Sequence, residues 1–403
     1  MRKSKAFVAD PFEYHQEIEL EIESLTNLGV GLGRYDNWVV MVPFALPGER
    51  VLARVYRNYK NYSEADLVSV LKPSPDRLEP QCKLFGECGG CQYQHLSYEA
   101  QLEWKRKQVE ELFERLAGIS MTAKPTIGSP KQYHYRSKLT PHFPKNKDEG
   151  FPIGFLKQGQ RRAILDVPQC PIATDKINEA LPAAREAIRT NTKRYKKGGT
   201  LLLRDTLNGV QTDNNVMASE RVGKFIYQFP AGEFFQNNPF ILPKMVETVL
   251  EGAKVEGVDY LIDAYCGVGM FAIAASEHFE KVLGVEVNAQ AVKAAHGNAL
   301  LNNLSNVDFI VGKAEAIFDE VTFPGGQTAV IIDPPRKGCD EAFIKQLVAF
   351  GPKKIVYVSC GPDTQARDVK LLVEAGYALE ELQPLDLFPQ TRHIENIAIL
   401  GRS

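Results

Sequence analysis

Cys360 stands in Ser359-Cys-Gly-Pro362, directly after the apolar, β-branched run Ile355–Val358. The run reads as a buried strand and Gly361-Pro362 as the turn that follows it. A thiol at the carboxyl end of a strand in an α/β sheet faces the crevice where such sheets bind ligands. It is a nucleophile there once its pKa is lowered. Many free cysteines are only small buried hydrophobes, so the surrounding motifs decide. Gly267-Val-Gly269-Met-Phe-Ala272 has the G-x-G-x-x-A form, and Glu286 lies 19 residues beyond Gly267 at the end of the next apolar run. Glycines there let the backbone approach a nucleotide, and a carboxylate at that distance accepts ribose hydroxyls. NAD and S-adenosylmethionine both satisfy this pattern. Asp333-Pro-Pro-Arg336 ends another apolar run. Its paired prolines hold the backbone extended and aim the carboxylate into the crevice. Hydride transfer needs no such loop, whereas methyl transfer to a planar base does.

A second constellation is Cys82-Lys-Leu-Phe-Gly-Glu-Cys88-Gly-Gly-Cys91, with Cys170 further on in Val167-Pro-Gln-Cys-Pro171. Four thiolates make a closed tetrahedral zinc site or hold an iron–sulfur cluster. Spacing alone does not separate the two.

The elements that must position these groups fall into three segments. Residues 1–72 make the first, in which residues 17 to about 72 read as short strands: Glu17–Glu23 alternates charged with apolar residues, Val39–Val42 and Glu49–Val55 follow, and glycines mark the turns. This pattern predicts an OB-like β-barrel. Tyr56-Arg-Asn-Tyr-Lys-Asn-Tyr62 interleaves rings with cations, as a nucleic-acid face does. Pro73, Pro75 and Pro80 mark a boundary. Residues 73–229 form a strand-rich central segment carrying the cysteines. Its helix Ser97–Gly118 is expected to dock on the catalytic domain over residues 97–117, and a second helix runs from Asp175 to about Thr190. Lys131, Arg136, Lys138, Lys157, Arg161 and Arg162 make this segment locally basic. From residue 230 to 403, strands and helices alternate, which predicts a doubly wound parallel sheet. The closing runs Ala378–Leu382 and Ile394–Leu400 lack a helix between them and predict an antiparallel hairpin at the sheet edge.

The 403 residues carry a formal net charge of −2, with 44% apolar and 24% charged residues. This is the balance of a soluble globular protein of several domains, so any basic surface must be local. No apolar run reaches the length of a membrane span, and Met1-Arg-Lys-Ser-Lys has no apolar leader segment. A cytoplasmic protein is expected, its seven cysteines serving metal binding or catalysis rather than disulfides.

Together these motifs resemble the RNA uracil-5-methyltransferase family. The matching residues are Phe234-Phe-Gln-Asn-Asn238, Asp263-Ala-Tyr-Cys-Gly-Val-Gly269, Asp333-Pro-Pro-Arg-Lys-Gly338, Ser359-Cys-Gly-Pro-Asp-Thr-Gln-Ala-Arg-Asp368 and His393-Ile-Glu-Asn396. The cysteine set and the N-terminal barrel resemble the branch with a 4Fe-4S cluster and a TRAM domain. The resemblance implies a Rossmann-like, S-adenosylmethionine-dependent methyltransferase fold. It implies Cys360 as the nucleophile that attacks carbon 6 of uracil and Glu395 as the base that removes the carbon 5 proton. Gln236, Tyr265, Gly267, Gly269, Glu286 and Asp333 are implied as the methyl-donor site. Cys82, Cys88, Cys91 and Cys170 are implied as cluster ligands, with zinc the runner-up. The expected partner is RNA, ribosomal before transfer RNA, and the expected state a monomer. A NAD-dependent oxidoreductase and an RNA-binding protein without activity are the alternatives from other classes.

Overall fold

The computed structural model describes residues 8–145, 150–160, 162–191, 197–312, 317–318 and 321–402. They group into two compact units. One is drawn from Met1–Gln108, Phe155–Leu165 and Gln390–Arg392, the other from Val109–Gly154, Asp166–Pro389 and His393–Ser403.

In the first unit, β1 (Glu17–Leu25), β2 (Val30–Tyr35), β3 (Trp38–Pro43), β4 (Arg50–Asn58) and β5 (Tyr62–Lys72) close a barrel in the order β1-β2-β3-β5-β4. The alternation in β1 puts Ile18, Leu20 and Ile22 inside with Val40, Val42, Val51, Ala53 and Val55. Closure needs a glycine at position 33, because a Cβ there would lie 2.2 Å from the Glu21 carbonyl oxygen. At the barrel exit Glu49 is fully buried. Burial alone would raise its pKa, but Arg77 and the Leu46 and Ser74 N–H groups hold the carboxyl below its ordinary value. The aromatic–basic run spans the end of β4, a turn and the start of β5. There Tyr59 stacks on Tyr62 at 4.4 Å, and the Arg57 guanidinium covers Tyr59 at 4.7 Å.

In the second unit, seven strands form one sheet. A hairpin, β6 (Met217–Val222) and β7 (Phe225–Pro230), precedes it. The sheet strands are β8 (Tyr260–Ala264), β9 (Lys281–Glu286), β10 (Val307–Val311), β11 (Thr328–Ile332), β12 (Lys354–Ser359), β13 (Tyr377–Leu385) and β14 (Glu395–Arg402). Their order is β10-β9-β8-β11-β12-β14-β13. The first five are parallel and the closing pair antiparallel, and the later strand β14 takes the inner position beside β12. Ile331, Val356 and Val358 on one face of the sheet pack with α3 (Leu242–Ala253), α4 (Met270–Ala275), α5 (Ala289–Leu301) and the β6–β7 hairpin. The hairpin, expected to close a central segment, thus shares the core of the sheet, where Tyr227 and Phe229 pack with Phe235. The opposite face packs with α6 (Glu341–Phe350), α7 (Pro362–Glu374) and the π-helical turn Phe113–Ala117. That turn follows α1 (Tyr98–Leu112) and ends the helix expected at 97–117, and Gly118 caps it with φ +71°. A further helix, α2, covers Asp175–Thr190, as expected. The turn predicted after Cys360 is instead the start of α7, since a proline is tolerated at the first helical position. No described helix is long and apolar enough to cross a membrane.

Candidate active site

The carboxyl ends of β8, β9, β11 and β12 open into a cleft of about 1190 Å³ within the second unit. It is lined by Gln236, Tyr265, Gly267, Glu286, Asp333, Cys360 and Glu395 among others, so all but one of the residues expected to act on the donor or the base converge there. The exception is Gly269. With φ +90° it caps α4, and a Cβ there would lie 2.9 Å from the Phe309 ring.

On the donor side, Asp263 closes β8 fully buried, and its Oδ2 accepts the Ala272 N–H at 2.9 Å. Burial, then the nearby Asp333 and Glu286 charges, push its carboxyl well above the ordinary range. Tyr265 leaves the strand at φ +66°, a conformation rare for an aromatic residue and characteristic of functional turns. Glu286 accepts the Gly267 N–H on Oε2 at 3.2 Å and the Asn288 N–H on Oε1 at 2.9 Å. Asp333 is raised to about 7 by desolvation. The Gln236 loop is held by its neighbours. The Asn237 carbonyl accepts from the Ser137 N–H at 2.8 Å, and Asn238 donates to Ser129 Oγ and the Leu387 carbonyl at 3.0 and 2.9 Å.

On the chemical side, β12 and β14 pair with Ser359 opposite Asn396, which brings Glu395 next to Cys360. Gln365 of α7 locks this register by donating to the Tyr357 and Asn396 carbonyls at 2.8 and 3.1 Å and accepting from Asn396 Nδ2 at 2.7 Å. The Cys360 thiol is pushed up to about 11, by burial first and then by the Glu395 charge. Its pKa is therefore raised rather than lowered in the free protein. Arg336 acts in the opposite direction, as a cation and as a donor to the sulfur. Its Nη2 also donates to His393 Nδ1 at 3.3 Å. Arg336 and His393 both line the cleft, and the sequence reading assigned neither a role. The available signal was a cation three residues beyond Asp333, in the same proline-stiffened loop.

The six basic residues of the central segment do not act alike. Arg136 lines the cleft with its guanidinium 5.4 Å from the Phe388 ring. Lys138 turns inward to the Gly232 carbonyl at 3.2 Å, and burial lowers its ammonium to about 8. Lys131 covers the Phe240 ring. Lys157 and Arg162 belong to the first unit, and Arg161 lies outside the described residues.

Cys82, Cys88 and Cys91 lie on one loop of the first unit, each half-buried. Burial raises the Cys88 thiol while the Gly90 N–H donates to its sulfur. Gly89 and Gln158 exchange backbone bonds with Leu156 and Glu87 at 3.0 and 2.7 Å, which pins the loop. Cys170 belongs to the second unit, its backbone held by Asn178 at 2.9 and 3.0 Å. The donor set suits a soft metal or cluster, but among the described residues no group of three or more His, Cys, Asp or Glu side chains is assembled to hold a metal ion. Cys266 and Cys339 are buried packing residues.

The tRNA (uracil-5-)-methyltransferase family matches residues 210–324 and 325–403, and the TRAM domain matches residues 12–68. The chain is 44% identical to the tRNA (uracil(54)-C(5))-methyltransferase of Schizosaccharomyces pombe, across 97% of this chain and 79% of the relative. The chain belongs to the tRNA (uracil-5-)-methyltransferase family. This uracil methyltransferase is also 35% identical to the Saccharomyces cerevisiae protein of the same description, over 97% of this chain and 74% of that one. Among solved structures it resembles the Pyrococcus abyssi tRNA (uracil-54, C5)-methyltransferase in complex with S-adenosyl-L-homocysteine. The TM-score is 0.73 and the identity 27%, over 95% of this chain and all of the other. By its family the methyltransferase is an S-adenosylmethionine-dependent RNA (uracil-5-)-methyltransferase, which removes the oxidoreductase and inactive-binder readings. All three of these proteins are named for tRNA, none for ribosomal RNA.

Proposed function

We propose that this methyltransferase modifies carbon 5 of a tRNA uridine, the one at position 54, with Cys360 as nucleophile and Glu395 as base. The observation that carries the reading is the pairing of Cys360 with Glu395 at the end of the cleft that also holds Glu286 and Asp333. S-adenosylmethionine supplies an electrophilic methyl group. Glu286 is proposed to accept its ribose hydroxyls, and Glu286 together with the ionised form of Asp333, both lining the cleft, suits its positive charge. Gln236 and Tyr265 line the same space.

The chain's own residues then account for the rest of the reaction. The Cys360 thiol gives up its proton to solvent and its sulfur bonds to carbon 6 of the uracil. The electron pair of the 5,6 double bond becomes a 4,5 double bond, and the carbonyl pair moves onto the carbon 4 oxygen. Arg336, donating to the sulfur, favours the thiolate. Once carbon 5 carries the methyl group, Glu395 takes the carbon 5 proton. The double bond reforms and the sulfur departs, so one difficult step becomes several easier ones. The barrel, as a TRAM domain with its Arg57–Tyr59–Tyr62 stack, supports an RNA-contacting role for residues 1–72. Cys82, Cys88, Cys91 and Cys170 are proposed as ligands of a structural 4Fe-4S cluster; their number, types and the family resemblance support this.

Methylation of transcripts from a labelled donor tests the substrate. A tRNA transcript is expected to accept label, and the same transcript with cytidine at position 54 to accept none. Preferential labelling of a ribosomal RNA fragment would overturn the tRNA reading.

A further inference from the structure

The loop that carries Arg336 is held along its length by α7, the helix that begins two residues after Cys360. Thr364 Oγ1 donates to the Arg336 carbonyl at 3.1 Å while also reaching its own Gly361 carbonyl at 2.9 Å. Arg367 Nη2 donates to the Lys337 and Cys339 carbonyls at 3.0 and 3.2 Å. Asp368 is 1% exposed. Its Oδ2 accepts the Cys339 N–H at 2.8 Å and the Tyr357 hydroxyl at 2.7 Å, and its Oδ1 accepts from Arg367 at 2.7 Å. Gly338 makes this approach possible: at φ +77°, a Cβ there would lie 2.5 Å from Asp368 Oδ2 and 2.6 Å from Arg367 Nη2. A carboxylate is rarely buried unless fully engaged, and here its partners are the loop, the helix and the Cys360 strand.

We propose that Thr364, Arg367 and Asp368 form a clamp that fixes the 334–339 loop and thereby places the Arg336 guanidinium against the Cys360 thiol. These are positioning residues. They do not reach the cleft, and they act through Arg336, which is the cation among the groups that face Cys360; the others are Glu395 and Asp333, with His393 on the far side of Arg336. A guanidinium on an exposed side chain loses its orienting effect when its backbone is free to shift, so support from beneath sets how much thiolate forms. The inference rests on the reading of Cys360 as the nucleophile.

Peptide-resolved alkylation of Cys360 by iodoacetamide at pH 9 reads the thiolate fraction directly, without substrate or methyl donor. Arg367→Met and Thr364→Val are each expected to slow it about three- to tenfold, as a cation near a thiol sets its pKa. Arg336→Met is expected to slow it as much, and neither clamp variant to slow it further in the Arg336→Met background. Arg367→Lys, keeping a donor, is expected to recover part of the rate. Wild-type alkylation in both clamp variants overturns the proposal, as does an equal slowing in the Arg336→Met background, which would mean a general loosening of the fold. If Arg367→Met does not fold, Thr364→Val decides alone. Retention of methylation by Cys360→Ala would remove the nucleophile reading while leaving the alkylation result interpretable.

Discussion

The Gly267 N–H donates to Glu286 Oε2 at 3.2 Å. One bond thus ties the turn after β8 to the end of β9 and holds the carboxylate at the edge of the cleft. Because the same side chain also receives the Asn288 N–H, it is aimed before any ligand arrives.

Glu286→Ala is expected to weaken S-adenosylmethionine binding by about 1.5–3 kcal/mol, the scale of hydrogen bonds to a charged group. Titration calorimetry on a folded variant checks this. Unchanged affinity would remove Glu286 from the donor site.

Asp333 gives a pH signature. Its folded pKa of about 7 lies above its ordinary 3.8, so between these values the folded chain binds more protons than the unfolded one. Stability of the ligand-free protein therefore falls as pH rises through that window. In Asp333→Asn this fall is expected to be shallower in thermal melts between pH 5.5 and 7.5. A donor that needs the ionised carboxylate is expected to bind more tightly to the wild type as pH rises across the same range.

Losses at Cys360 and Glu395 are expected to differ in kind. Cys360→Ala binds RNA but forms no adduct and transfers no methyl group. Glu395→Gln still permits addition and methyl transfer but cannot release carbon 5's proton. It accumulates a methylated protein–RNA complex that survives denaturing electrophoresis. Both side chains sit at strand ends of one sheet, and circular dichroism checks that both variants fold. Wild-type turnover by Glu395→Gln would assign the proton to another group.

Protein purified without oxygen is expected to be brown and to hold about four irons per chain, the content of a 4Fe-4S cluster. Cys88→Ser is expected to lower that content and the thermal midpoint together. Stoichiometric zinc in a colourless preparation would exclude the cluster.

Periodicity and motif spacing alone determined the barrel, the parallel sheet and its edge hairpin. They also singled out Cys360, Glu286, Asp333 and, through the family resemblance, Glu395, which line one cleft. Strands announce themselves locally: the alternation of Glu17–Glu23 and the apolar run before Cys360 each need only a few neighbouring residues. Three things required the tertiary structure. Gly269 matched a ligand-binding pattern, and a side chain there would also meet the Phe309 ring, a residue 40 positions away in the chain. The Cys360 thiol proved raised rather than lowered, because its pKa is the balance of burial, Glu395 and Arg336, which no local pattern reports. Arg336, His393 and the α7 clamp became visible only when β12 and β14 were paired and the loop after β11 was laid on α7. Residue type and spacing specify what a group can do. Distances across strands and loops that are remote in sequence decide what charge it carries and which partner it meets.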